Sequence, residues 1–284
     1  MTQSELTSPA QHISGIISAT EMCNFHSHTQ YCDGHNSIRE MVAAARDAGF
    51  MAWGITPHSP VCIDSPCNMH ASDVSAYLDE MNSIKDEFRG ETEVFTSMEI
   101  DFLGRDFGPH IDYFQNIPLD YRLGSVHFVP TQDGIPVDCD GSFNRFADNL
   151  RRAYAGDLRY VVEKYFEQVL IMLELGGIDM LGHFDKIIGN ASQIDSELEE
   201  QQWYAALIED VIIHAATAGV VVEINTKAIN DRKRYYPAER WWNQIIRAGL
   251  PIAVNSDAHY KEKVNLGRPE ALRKISVLRK SGAQ

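Results

Sequence analysis

The chain has 284 residues, 44% of them hydrophobic and 23% charged, and a formal charge of −15. This composition excludes a disordered or low-complexity chain, and the length supports a large core without disulfides. The acidity speaks against a generic nucleic-acid binder, whose partner wants a basic face.

Residues 1–20 carry few periodic apolar positions and lack the basic start and apolar run of a secretory signal. They are read as an N-terminal extension ahead of a single unit over 21–284. A short apolar run at 22–25 leads into His26-Ser27-His28. Ser37 and Glu40 form a capping box, the apolar face of Ile38, Met41, Val42 and Ala45 follows, and Gly49 stands where a helix stops. A second run covers 51–56, a helical pattern 72–88, and a third run 94–100. The fourth run, 121–129, precedes a polar insertion over 130–157, expected as a loop with a short helix. Then come a helix at 158–175, runs at 178–184 and 220–225 around a helix at 199–218, a helix at 238–248, a last run at 251–255 and a closing helix at 268–280. Strand–helix alternation argues for parallel strands, and seven such units favour a closed α/β barrel. No stretch nears the ~18–20 unbroken apolar residues of a membrane span. Five cysteines without a repeating framework fit a reducing cytoplasm.

The chemistry gathers at the ends of the runs. They lead into His26 and His28, Pro57-His58, Glu99 and Asp101, His127, His183 and Asp185, Glu223 and Asn225, and Asp257 and His259. In a parallel barrel these ends meet at one face. Residues i and i+2 of an extended segment point the same way, so His26 and His28 share a side, as do Asp257 and His259. His35 follows in a loop with Gly34. Seven of the eleven histidines (26, 28, 35, 58, 127, 183 and 259) fall at or just after strand ends. Crowded imidazoles need partners, and a metal cluster supplies them. So many nitrogen donors point to divalent transition metals (Zn, Mn or Fe) rather than Mg or Ca.

These motifs, taken in order over about residues 22–260, resemble the PHP (polymerase and histidinol phosphatase) metallophosphoesterases. They are His26-Ser27-His28, Thr56-Pro57-His58, Met98-Glu99-Ile100-Asp101, Gly124-Ser125-Val126-His127, Gly182-His183-Phe184-Asp185 and Asn255-Ser256-Asp257-Ala258-His259. The His127 and His183 motifs and the length look most like the histidinol-phosphate phosphatase branch. The resemblance implies a distorted (β/α)7 barrel with its metal site at the C-terminal strand ends. It implies three metals: one held by His26, His28, Glu99 and Asp257, a second by Glu99, His127 and His183, and a third by His35, His58 and His259. The implied reaction is hydrolysis of L-histidinol phosphate by a metal-bridging hydroxide, with Glu99, Asp257 and His259 as catalytic residues. Asp101, Lys186, Asn225 and Lys227 are the candidate substrate contacts; Asp101 has a ligand-orienting or plain structural reading besides. The branch usually carries an arginine where this chain has Ile188. Lys186 is the nearest substitute, and Lys227, Arg232, Lys233 and Arg234 are further basic candidates. The alternative within the family is another small phosphate ester or a nucleotide. A metal-dependent amidohydrolase is disfavoured, because Glu99 stands where those barrels commonly place a carboxylated lysine, and a non-catalytic metal-binding module is disfavoured by the full ligand set. The expected partner is a small phosphorylated substrate, with no nucleic acid and no membrane; the sequence is silent on oligomeric state.

Overall fold

Each expected run forms parallel strand, and the strands lie in two sheets that meet edge to edge. The computed structural model describes residues 7–281. Its first half runs α1 (Pro9–Ala19), β1 (Cys23–Asn24), α2 (Ile38–Asp47), β2 (Ala52–Ile55), α3 (Val74–Glu87), β3 (Glu93–Thr96), β4 (Glu99–Asp101), α4 (Asp112–Gln115) and β5 (Leu123–Ser125). A hairpin of β6 (Phe128–Pro130) and β7 (Pro136–Asp138) follows, then α5 (Phe143–Ala153), α6 (Leu158–Leu175), β8 (Met180–Leu181) and α7 (Ile188–Ala191). The chain ends with α8 (Gln202–Ala218), β9 (Val221–Asn225), α9 (Ile229–Arg232), α10 (Trp242–Arg247), β10 (Ile252–Asn255) and α11 (Arg268–Ser281).

One sheet has the order β1-β2-β3, the other β10-β9-β8-β5-β4, and all their pairings are parallel. The expected 94–100 run breaks at Ser97-Met98. Its first half pairs with β2 and its second with β5, so this stave is the seam between the sheets. The ring is completed only by single bridges, His58 to Glu99 and Ser27 to Ala258, which makes a distorted barrel rather than a continuous ladder.

The barrel interior is filled by one layer of side chains: Phe25, Ala52, Phe95, Leu123, Met180, Val221 and Ala253. Ala10 and Ile13 of α1 pack into the same cluster. The expected extension is therefore in good part a helix closing the N-terminal end of the barrel. Ser8 and Gln11 cap it reciprocally, a signature whose apolar face is too short to stand out by periodicity. The 130–157 insertion also differs from expectation. The end of the fourth run leaves the sheet after β5 and folds into the antiparallel β6–β7 hairpin, turned at Gly134 with φ 80°, and only then into α5. The Ser37–Glu40 capping box is present, and Gly49 takes a left-handed φ of 86° after α2.

Candidate metal centre

Alternation along the strands sets the site. On β9, Val221 fills the inner layer, so Glu223 and Asn225 above it also face the barrel axis. Asp257, just past β10, takes φ 47°, a costly value for an aspartate and one the surrounding packing holds in place.

Glu99 is the hub. Its Oε2 lies 3.2 Å from His26 Nε2, 3.4 Å from His28 Nε2 and 3.1 Å from His58 Nδ1. Its Oε1 lies 2.7 Å from His183 Nε2 and 3.5 Å from His127 Nε2. Asp257 Oδ1 is 3.1 Å from His28 Nε2 and 3.7 Å from His26 Nε2. Donor atoms converge in overlapping sets: His26, His28 and Glu99; His26, His183 and Asp257; Glu99, His127 and His183; and His28, Asp33, His58 and His259. His58 with Asp101 and His127 makes a further set.

His35 is not among these residues. Its ring stacks on Tyr260, with centroids 4.1 Å apart, and the side chain the loop turns inward is Asp33. Asp33 Oδ1 lies 3.2 Å from His259 Nε2 and 3.9 Å from His58 Nε2. The cause is Gly34, which packs against the backbone of the preceding strand end. A Cβ there would meet Thr29 N at 2.3 Å. The bend so made is closed by Gln30 N–H donating to Asn36 O and His35 N–H to His259 O. Asp33 thus stands where His35 was expected.

Behind the donors stand two carboxylates. His127 Nδ1–H donates to Asp101 Oδ1 at 2.7 Å, leaving Nε2 toward Glu99. Asp101 thus holds the ring of His127 and also accepts from the Asn68 amide at 2.9 Å. His26 Nδ1–H donates to Glu223 Oε1 at 2.7 Å, and Glu223 Oε2 accepts from the backbone N–H of His183 and the amide of Asn225. The Glu223 role went unassigned in the sequence, although the two-residue spacing to Asn225 places it on the inner face. Asn225 also donates to Asp257 Oδ2 at 3.0 Å. Such outer contacts fix ring orientation and raise ligand basicity.

The electrostatics suit cation binding. Burial alone would raise the Glu99 carboxyl, but His26, His58 and His127 outweigh it and hold it well below the ordinary range. Asp257 is likewise held low against burial, by Lys227 and His26. Burial lowers His28, His58 and His183 and so favours the neutral, ligating form. Burial would lower His127 too, but Asp101 and Glu99 lift it to about 9. The residues also pass a test of fit. Buried His58 Nδ1, His127 Nε2 and Asp33 Oδ1 have no aligned hydrogen-bond partner among the described residues, although other donors surround them. Groups that converge without bonding one another fit shared dications.

A cavity of about 340 Å³ opens onto the cluster. His58, Asp101 and His127 line its floor, and Lys186, Asn225 and Lys227 its wall. Lys186 Nζ is 3.0 Å from Asp140 Oδ2, and Lys227 Nζ is 3.5 Å from Asp257 Oδ1. Ile188 is fully buried in the core and takes no part.

Similarity to known proteins bears on the family and the fold. A family model described as PHP domain matches residues 24–227. A Deinococcus radiodurans protein named "Probable histidinol-phosphatase" is 27% identical over 269 residues, covering 90% of this chain and 93% of the relative. A solved structure of Listeria monocytogenes, described as "putative histidinol phosphatase hisK", superposes with a TM-score of 0.79 at 20% identity, covering 87% of this chain and 99% of the other. The histidinol phosphate phosphatase of Lactococcus lactis, solved with zinc, L-histidinol and phosphate, gives 0.69 at 18% identity, covering 90% and 93%. No helix among the described residues is long and apolar enough to cross a membrane.

Proposed function

Because the chain belongs to the PHP domain family, we propose that it is a metal-dependent phosphomonoesterase that converts L-histidinol phosphate to L-histidinol and phosphate. The carrying observation is the convergence of nine donor residues in overlapping sets, two of which share the buried carboxylate of Glu99. The names of the relatives, and the zinc, L-histidinol and phosphate in the Lactococcus structure, support the substrate. Three divalent ions are the reading that uses every donor. His26, His28, Glu99 and Asp257 would hold the first, Glu99, His127 and His183 the second, and Asp33, His58 and His259 the third. Zinc, manganese and iron suit imidazole and carboxylate donors. When bound, clustered dications supply a nucleophilic water near neutral pH and neutralise the charge that builds on phosphoryl oxygens.

The chain's own groups do the rest. Glu99, Asp257 and His259 hold the reacting centre together, and Asp101 and Glu223 fix the imidazoles of His127 and His26. Lys186, its charge favoured by Asp140 despite burial, lines the cavity together with Lys227 and Asn225, and the three would face the phosphate. Asp64 and Asp231 also line the cavity and would present carboxylates to the ammonium and imidazole of the leaving alcohol. Free cysteines favour a cytoplasmic setting. The test is to load the full chain with zinc or manganese and measure phosphate release from histidinol phosphate, nucleotides and an aryl phosphate side by side. A strong preference for histidinol phosphate is expected. A flat or nucleotide-biased profile would overturn the substrate, and metal without turnover would overturn the activity.

A further inference from the structure

The imidazole of His259 has two claimants. Its Nδ1–H donates to the backbone carbonyl of Asp257 at 3.1 Å, which leaves a single lone pair on Nε2. Lys227 Nζ–H donates to that lone pair at 3.1 Å, and the same ammonium lies 3.5 Å from Asp257 Oδ1. Yet Nε2 is also the nitrogen that faces Asp33 Oδ1, at 3.2 Å, within the donor set of His28, Asp33, His58 and His259. Among the described residues no other histidine of the cluster bonds a lysine or arginine. Lys186, the other ammonium near the site, is turned to Asp140 Oδ2 at 3.0 Å.

The lysine is tethered at its root and free at its tip. Its backbone N–H donates to Asn225 Oδ1 at 3.0 Å, and the hydroxyl of Thr226 beside it bonds the carbonyls of Asn255 and Leu266. The side chain is 41% exposed. It lines the cavity above the cluster and also a second cavity of about 580 Å³, bounded by Asp33, His35, Asp257, His259, Tyr260 and Lys263. A compact ammonium on a flexible four-carbon stem can therefore leave His259 without moving β9. A lone pair serves one cation at a time, and an ammonium held so close repels a dication at the same nitrogen.

We propose that Lys227 is a built-in competitor for the third cation: its ammonium and that ion contest the Nε2 lone pair of His259. The ion is thus held more loosely than its donors alone would hold it, and it is the first of the three to be lost to a chelator. This rests on the three-ion reading above and concerns only the corner formed by Asp33, His58 and His259.

The experiment is a stepwise zinc titration of the full chain against a chromogenic chelator, with thermal melts of the metal-free and zinc-loaded forms. Lys227→Met keeps the stem and removes the charge. It should tighten the loosest zinc step about ten- to hundredfold, the scale of a hydrogen bond to a charged group, and shift the other steps less. Asp33→Asn, which takes a donor from the same corner, should abolish that step. Lys227→Arg, which keeps the charge, should leave it near the wild-type affinity, and Lys263→Gln, at a lysine that sits over the Tyr260 ring, should do nothing. Metal-free K227M should melt below the wild type, because Asp257 and His259 lose a partner, while the zinc-loaded forms melt together. A lysine that merely braces the fold would lower both, and that result would overturn the proposal. If K227M leaves the loosest step unchanged or weakens it while three zinc ions still bind, the competitor assignment falls and the three-ion reading stands. If wild type and K227M alike take up fewer than three zinc ions at saturation, both fall.

Discussion

Replacing Glu99 by Gln keeps the shape of the central side chain and removes its charge. The five imidazole nitrogens near its two oxygens, at 2.7 to 3.5 Å, divide between them: His26, His28 and His58 at Oε2, and His127 and His183 at Oε1. The carboxylate therefore belongs to the His26–His28 set and to the His127–His183 set. The set of His28, Asp33, His58 and His259 does not contain it. A neutral amide oxygen is a poor dication ligand, so two of three cations should be lost and the third kept. Metal counting by mass spectrometry on protein dialysed against trace zinc should fall from about three to about one per chain, with phosphatase activity lost. Two companions sharpen the test. Asp33→Asn should cost one cation, and His35→Ala none, because the His35 ring lies outside the cluster on Tyr260. Circular dichroism would confirm that each variant is folded. Full metal content in E99Q would refute the shared-carboxylate reasoning, and loss of a cation in H35A but not D33N would refute the loop assignment.

Glu223→Gln should weaken zinc ten- to hundredfold, the usual cost of losing a carboxylate behind a ligating histidine; competition with a chromogenic chelator reads it, and unchanged affinity would remove Glu223 from the site. Asp185 is buried, accepts from Ala238 N–H, and is pushed by that burial to about 7. Its folded-state pKa lies above the unfolded one, so its contribution is full below about pH 4 and fades as pH rises through 7, by roughly 4 kcal/mol at 1.4 per unit. Asp185→Asn should therefore be more stable than wild type at pH 8 and no more stable at pH 4, in denaturant titrations of the metal-free protein; parallel curves would refute it. Ile13→Ala, at the α1 plug, should cost about 2–5 kcal/mol and leave metal content unchanged, as thermal melts and metal counts would show.

What was legible in the sequence follows from where periodicity operates. In extended segments the two-residue alternation fixes relative direction, so His26 and His28, and Asp257 and His259, could be assigned to a shared side before any coordinates. The same rule reaches Glu223, which shares its face with Asn225. It went unassigned because a glutamate inside a short apolar strand carries no ligand-like spacing of its own, and its partner, His26, lies 197 residues away in the chain. Loops obey no such period. Asp33 and His35 are two apart, but the bend at Gly34 separates them and sends Asp33 toward His259 and His35 toward Tyr260. The choice depends on a backbone contact with Thr29 that no spacing encodes. The N-terminal helix escaped notice for a different reason. Its buried face is only Ala10 and Ile13, and what stabilises it is the hole it fills at the bottom of the barrel, a feature that exists only once seven distant strands have come together. Residues whose direction is set by their own strand could be read directly, Glu223 among them although its distant partner could not; the direction of Asp33, set in a loop, could not.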